Sequence, residues 1–278
     1  MIFANILKGF RRSKQDPATR KLAKIERYAQ EYGVLPCNVP ELETDSPAAQ
    51  ELFKLKKTLM DERITMLGSQ KLDTLRYSAE TCLKEGVDGD FLEAGVWRGG
   101  ATIFLAAILR AHGVERKVYV ADSFQGLPPP NPRSWPIDKG DDHHSRPELA
   151  ISLEQVQSNF QRFDLLRSNI EFVQGFFEET MPKLDVEKLA LLRLDGDMYG
   201  STMVVLQALY HKLEVGGFLI LDDWLLKGAR TALLDFRTLM GICEPMYQDA
   251  SGIYFRKANK TPALSLHDAR ELAQRHQT

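Results

Sequence analysis

Apolar residues recur three or four apart through the first third of the chain, then gather into short continuous runs. "SPAAQELFKLKKTLMDERITML" and "QKLDTLRYSAETCLKEG" carry the helical spacing, so residues 1 to about 88 read as helical. From Asp90 the pattern changes. "DFLEAGV" reads as a buried strand, "GGATIFLAAILRAHG" as a helix ending at Gly113, and "KVYVAD" as the next strand. Helix "SLEQVQSNFQRF", strand "IEFVQG" and a short helix around "FFEETMPKL" come next. Strand "LALLRLD", helix "STMVVLQALYHKL", strand "GGFLILDD" and helix "GARTALLDFRTLM" complete the series. Strands alternating with helices predict an α/β fold, a Rossmann-like, mostly parallel sheet covered on both faces. "CEPMYQDASGIYFRK" breaks the alternation. Its two strand-like stretches flank Asp249-Ala250-Ser251-Gly252, which predicts a closing antiparallel hairpin.

The interval from Ser123 to about Ala150 is too long for an ordinary connection and is crowded with Pro, Gly and charge. It leaves the strand edge at which open α/β sheets bind ligands. Residues of about 125–150 therefore read as a lid, with a plain surface loop as the alternative. Inside it, Asp141 to His144 read as a solvated stretch, ahead of a second metal site or a spare base. The chain thus divides into a helical N-terminal extension or cap (1–88), a sheet domain (89–258) and a helical tail (259–278). In the extension, Ile2, Phe3, Ile6, Leu7 and Phe10 have helical spacing, and basic residues follow them, the reverse of a secretory leader. That pattern predicts a helix packed on its own domain or on a second subunit; a membrane-surface helix is the alternative.

Composition narrows the partners. The chain is 44% hydrophobic and 27% charged, with a formal net charge of −2. A near-neutral balance argues against nucleic acid, whose phosphates demand an excess of Lys and Arg. No apolar run approaches the ~18 residues that a membrane span requires. Cys37, Cys82 and Cys243 are widely separated and never form a C-x-x-C pair. They argue against a disulfide framework or a zinc site and fit a reducing cytoplasm. A small-molecule acceptor and a homo-oligomer are the expected partners.

Three constellations fall on one sheet edge. In "FLEAGVWRGGA", a strand carries Glu93 into a turn with Gly95, Gly99 and Gly100 before a helix begins. Glycines let a ligand approach the backbone, and the helix N-terminus offers free N–H donors. The spacing is not the G-x-G-x-x-G of a dinucleotide site. In "VYVADSF", Asp122 ends the next strand, where an acid either receives ribose hydroxyls or caps a helix. The third pairs "LRLDGD" with "FLILDDW". Asp195 and Asp197 end one strand, and Asp222 and Asp223 end the next. Like charges this close need a cation or protons, and a hard divalent ion with oxygen ligands suits them. The competing role is again helix capping.

Taken in order, "FLEAGVWRGGA", "ADSFQGLPPP", "LLRLDGDMYGSTM" and "GGFLILDDW…GARTALLDFR" resemble the metal-dependent O-methyltransferases of the macrocin, mycinamicin and novobiocin pathways. The resemblance spans roughly Glu62 to Lys257. It implies a class I methyltransferase sheet, S-adenosylmethionine and Mg²⁺ as cofactors, and a sugar hydroxyl of a glycosylated natural product as acceptor. On that resemblance, Glu93, Gly95, Val96 and the turn Trp97, Arg98, Gly99 and Gly100 hold the amino-acid end of S-adenosylmethionine. Asp122, Ser123 and Phe124 bind its ribose, while Gly175, Phe176 and Phe177 border its adenine. Thr65 and Met66 cover it. Asp195 adjoins the cofactor and, with Asp222 and Asp223, ligates the metal; Asp197 is the general base. The family commonly has Glu after "DGDMY", where this chain has Gly200.

Elementary chemistry supports the same roles. An alcohol is a poor nucleophile at neutral pH until a cation lowers its pKa and a carboxylate takes its proton. A catechol or other phenol is the rival acceptor. An NAD-dependent oxidoreductase shares the sheet and Asp122 but lacks both the glycine spacing and a hydride-transfer partner.

Overall fold

The computed structural model describes residues 16–264 and 266–275. The amphipathic pattern at Ile2 to Phe10 lies outside the described residues. Helix α1 (Pro17–Tyr32) starts with Asp16 accepting from the Thr19 N–H and ends at Gly33 in the left-handed conformation. Helix α2 (Pro47–Asp61) starts the same way, with Ser46 as cap and proline in the first turn. Helix α3 (Ser69–Lys84) follows. Between α1 and α2 the expected helical pattern gives way to extended chain, because Pro36 and Pro40 cannot continue a helix.

From there strands and helices alternate: β1 (Asp90–Ala94), α4 (Gly100–Ala111), β2 (Val118–Asp122), α5 (Leu153–Arg162), β3 (Ile170–Gln174) and α6 (Phe177–Thr180). Then come β4 (Leu189–Leu194), α7 (Tyr199–Leu209), β5 (Leu213–Leu221), α8 (Lys227–Met240), β6 (Tyr247–Asp249), β7 (Gly252–Arg256) and α9 (Leu266–Gln274). The sheet order is β3-β2-β1-β4-β5-β7-β6. Only β7 runs against the rest, pairing antiparallel with both β5 and β6. The hairpin is therefore where the sequence placed it. The outer edge of β6 is partly covered: Leu35 donates to Met246 O and accepts from the Gln248 N–H, adding a parallel bridge. Covering an edge strand removes a template for unwanted pairing.

Strand alternation sorts the side chains into two cores. Phe91, Val118, Val120, Leu191, Phe218 and Ile220 face one side, where α3, α4 and α5 supply Leu75, Ile103, Phe104 and Phe160. Leu92, Ala121, Leu192, Leu194 and Leu221 face the other, where α7 and α8 supply Met203, Leu206, Leu233 and Phe236. Burying one such side chain contributes about 1.5–3 kcal/mol, so both faces hold the sheet rigidly. α4 is buried along nearly its whole length, as an all-apolar helix requires. Among the described residues no helix is long and apolar enough to cross a membrane.

The parallel ladder continues one residue past the strands, and this builds the functional edge. Gly175 donates to Asp122 O, Gly95 to Ala121 O, Asp195 to Ala94 O and Asp222 to Leu194 O, at 2.8–3.0 Å. The C-terminal edge therefore runs Gly175, Asp122, Gly95, Asp195, Asp222 in spatial order.

Candidate active site

The charged groups follow from the same alternation. Glu93 and Arg193 are register partners on β1 and β4 and lie on the face that packs against α3 and α4. Arg193 Nη1 donates to Glu93 Oε1 and, at 2.9 Å, to Asp195 Oδ2; its Nη2 donates to Asp222 Oδ1. Lys71, from α3, donates to Asp222 Oδ2 at 2.6 Å and to Asp222 O at 3.2 Å. Neither cation stood out in the sequence, because a single charge in an apolar strand shows its partner only once the register is known.

Two cations do not balance this edge. Glu93, Asp195, Asp197, Asp222 and Asp223 bring five carboxylates against Arg193 and Lys71. Against the pull of burial, Arg193 and Lys71 hold Asp222 below the usual carboxylate range. The others move the opposite way. Burial, then the neighbouring charges of Asp195, Asp197 and Asp222, raises Asp223 well above that range. Burial and Asp222 raise Asp195, and burial and Asp195 push Asp197 up to about 7. Burial pushes Glu93 to about 7 despite Arg193, and its Oε2 has no hydrogen-bond partner among the described residues. Asp195, Asp222 and Asp223 each offer one oxygen, all within 4.8 Å of one another. Three oxygens at that spacing, with surplus charge, match the donor set of a hard divalent cation.

Capping does not account for these acids. α7 is capped from the lid: Asp138 Oδ1 and Oδ2 accept from the Tyr199 and Gly200 N–H groups at 2.7 and 2.9 Å. α8 begins after Leu226 with no side-chain cap. Asp223 instead accepts from the Asp197 N–H at 2.9 Å. That bond holds Asp197 in a left-handed turn, φ 58°, a conformation aspartate tolerates better than most residues. Nor does Asp122 cap a helix. Its oxygens accept from the Val96 and Phe124 N–H groups, both at 2.8 Å, bracing the turns after β1 and β2. Those turns also hold non-glycine residues at positive φ, Trp97 at 49° and Phe124 at 58°. Strain gathered at three strand ends marks a built site.

A cavity of about 600 Å³ opens over this edge, large enough for a cofactor and part of an acceptor. Of the residues named from the sequence, Met66, Gly95, Trp97, Asp122, Ser123, Phe176, Phe177, Asp195, Asp197, Asp222 and Asp223 line it. Thr65, Glu93, Val96, Arg98, Gly99, Gly100, Phe124 and Gly175 are not among the residues that line it. Thr65 is buried against Gly100 and accepts from the Leu67 N–H; Arg98 stacks on Trp97 and donates to Arg63 O. Gly95 has φ 91°, and a Cβ there would collide with Asp195 O. Only glycine lets the end of β1 lie that close to the Asp195 backbone, so packing of the two strand ends explains this glycine.

The segment read as a lid holds three short 3-10 turns, Pro136–Asp138, His143–Ser145 and Pro147–Leu149. Trp97 Nε1 donates to Glu148 O at 2.8 Å, and Asp138 ties the lid to α7. Leu127, Pro128, Pro129, Trp135 and Leu149 add apolar surface to the cavity's lining. The Asp141 to His144 run is not simply solvated. His143 lines the cavity, its Nδ1 lying 2.8 and 3.0 Å from the two Asp141 oxygens. Lys21 of α1 reaches the same cavity, and Lys24 fixes α1 by donating to Leu225 O at 2.8 Å. Both were missed because the residues that separate them from the edge in sequence give no hint of proximity.

Sheet order, the glycine-bearing turn after β1 and the acidic edge are those of a Rossmann-like methyltransferase. The chain belongs to the Macrocin-O-methyltransferase (TylF) family, whose sequence profile matches residues 46–257. It is an O-methyltransferase, and the donor that activity implies is S-adenosylmethionine. One relative is 8-demethyl-8-(2,3-dimethoxy-alpha-L-rhamnosyl)-tetracenomycin-C 4'-O-methyltransferase of Streptomyces olivaceus. It is 44% identical over 195 residues, 69% of this chain and 75% of that protein. Mycinamicin III 3''-O-methyltransferase of Micromonospora griseorubida is 44% identical over 199 residues, 70% of this chain and 78% of that protein. The solved structure of the O-methyltransferase NovP superposes with a TM-score of 0.69 at 33% identity, covering 88% of this chain and 100% of that one.

Proposed function

We propose that this chain transfers a methyl group from S-adenosylmethionine to a sugar hydroxyl of a glycosylated natural product, with Mg²⁺ at the acidic edge. The observation that carries the reading is the Asp195, Asp222 and Asp223 oxygen set beside Asp197, in a cavity that apolar residues of the 127–149 segment also line. A sugar suits the acids and an apolar aglycone suits the lid. The relatives' names point the same way: one acts on a rhamnosyl-tetracenomycin and another on mycinamicin III.

When bound, the cation lowers the pKa of a hydroxyl presented to it, and the sulfonium supplies a methyl group that needs no activation. The protein does the rest. Asp195, Asp222 and Asp223 hold the cation. Arg193 and Lys71 keep Asp222 ionised and aimed. Asp197, fixed by its N–H bond to Asp223, takes the hydroxyl proton as the acceptor oxygen attacks. Lid and apolar wall exclude water, so in-line positioning supplies much of the remaining rate.

The test is Asp197→Asn. Methyl transfer to a rhamnosylated aromatic acceptor should fall by about 10²–10⁴-fold. Calorimetric affinities for Mg²⁺ and S-adenosylhomocysteine should change less than threefold. A variant with near-normal turnover defeats the assignment, and a wild-type chain that methylates catechol but no glycoside moves the reading to the phenolic class.

A further inference from the structure

Gly200 and the lid residue Trp135 form a fitted pair. A Cβ at Gly200 would lie 2.7 Å from Trp135 Nε1 and 2.8 Å from Cγ, closer than real Cβ contacts come. Gly200 therefore gives the indole its seat at the start of α7, against Tyr199, with ring centroids 5.8 Å apart. From that seat Trp135 Nε1 donates to Glu178 Oε1 at 2.7 Å. Glu178, on α6, is exposed and lines the cavity. One of its oxygens is thus held in place by a buried indole, and a carboxylate has further lone pairs to offer a ligand.

The position of this carboxylate decides what it can read. Asp122, on the ribose side of the edge, ends β2, and β4 lies two strands away, about 10 Å along the sheet. Through Trp135, Glu178 is held beside Gly200 in the first turn of α7, the helix that follows Asp195 and Asp197, and the neighbouring Phe177 ring lies over Gly196. Its carboxylate therefore sits on the β4 side of the edge, the side that carries the proposed base, and not at the end of β2. A carboxylate only accepts, so its ligand must offer O–H or N–H groups. Resting on the sugar-acceptor reading above, we infer that Glu178 is a further acceptor-binding residue that receives a sugar hydroxyl, and that Trp135 is the residue that positions it.

Saturation-transfer NMR with methyl α-L-rhamnopyranoside, in the presence of S-adenosylhomocysteine and Mg²⁺, tests this. Calorimetry with S-adenosylhomocysteine alone runs alongside. Glu178→Gln should weaken the glycoside at least fivefold. Trp135→Phe, which keeps a ring on Gly200 but loses the N–H, should weaken it about two- to threefold. Both variants should bind S-adenosylhomocysteine within twofold of wild type. If Glu178→Gln leaves the glycoside unchanged, the inference fails and the sugar reading survives. If it weakens S-adenosylhomocysteine instead, Glu178 reads the adenine amino group, and the inference also fails. If the wild-type chain shows no transfer to the glycoside, the sugar reading falls and takes the inference with it.

Discussion

Arg193 is the residue on which the electrostatics of the site turn. It is fully buried and bonds three carboxylates drawn from β1, β4 and β5. Arg193→Met should cost about 3–5 kcal/mol in urea unfolding, because it strands buried charges rather than merely losing an attraction. The pair it makes with Glu93 joins residues one hundred positions apart, and nothing in "LLRLD" or "FLEAG" announces it. Asp195, Asp197, Asp222 and Asp223 were legible for the opposite reason: carboxylates clustered at the ends of apolar runs demand an explanation wherever they lie. Gly200 had no reading in the sequence, since the side chain that needs its space comes from the lid. Gly200→Ala forces the Trp135 indole to move and should destabilise by about 1–3 kcal/mol, measured by the same unfolding.

Among the elements, the lid shows most clearly what local patterns miss. Capping is usually sought next to the helix, and four aspartates near α7 and α8 offered themselves. The cap of α7 comes from Asp138, some sixty residues earlier, so the 125–150 segment and the start of α7 are held by the same two hydrogen bonds. Asp138→Ala should cost about 1–2 kcal/mol and speed protease cleavage within residues 125–150. Asp138→Asn, which keeps one acceptor oxygen, should fall between the variant and wild type in both measurements. Strands and helices from Asp90 onward were readable because apolar runs and helical spacing alternate cleanly there. The extended segment before α2 was not, because its partners, Tyr247 for Leu35 and Tyr254 for Asn38, lie on distant strands.

At the scale of the whole molecule, alternation predicted a parallel sheet and a closing hairpin, but not the strand order that lines up Asp122, Gly95, Asp195 and Asp222. That alignment leaves surplus negative charge, and the charge has a pH signature. Burial raises Glu93 to about 7 and Asp249 to about 6. Each group binds its proton more tightly folded than unfolded, so the stability it contributes is complete below the unfolded pKa of about 4–4.5. That stability is lost as pH rises through 6 to 7. The metal-free chain should therefore melt at a higher temperature at pH 5.5 than at pH 8, and Asp249→Asn should flatten the difference. The central claim is that the acidic edge works by holding a divalent cation for methyl transfer. Methyl transfer from S-adenosylmethionine to a rhamnosylated acceptor, assayed in EDTA and again after Mg²⁺ is restored, tests it most directly. Turnover should vanish in EDTA and return with Mg²⁺; turnover that persists unchanged in EDTA contradicts the claim.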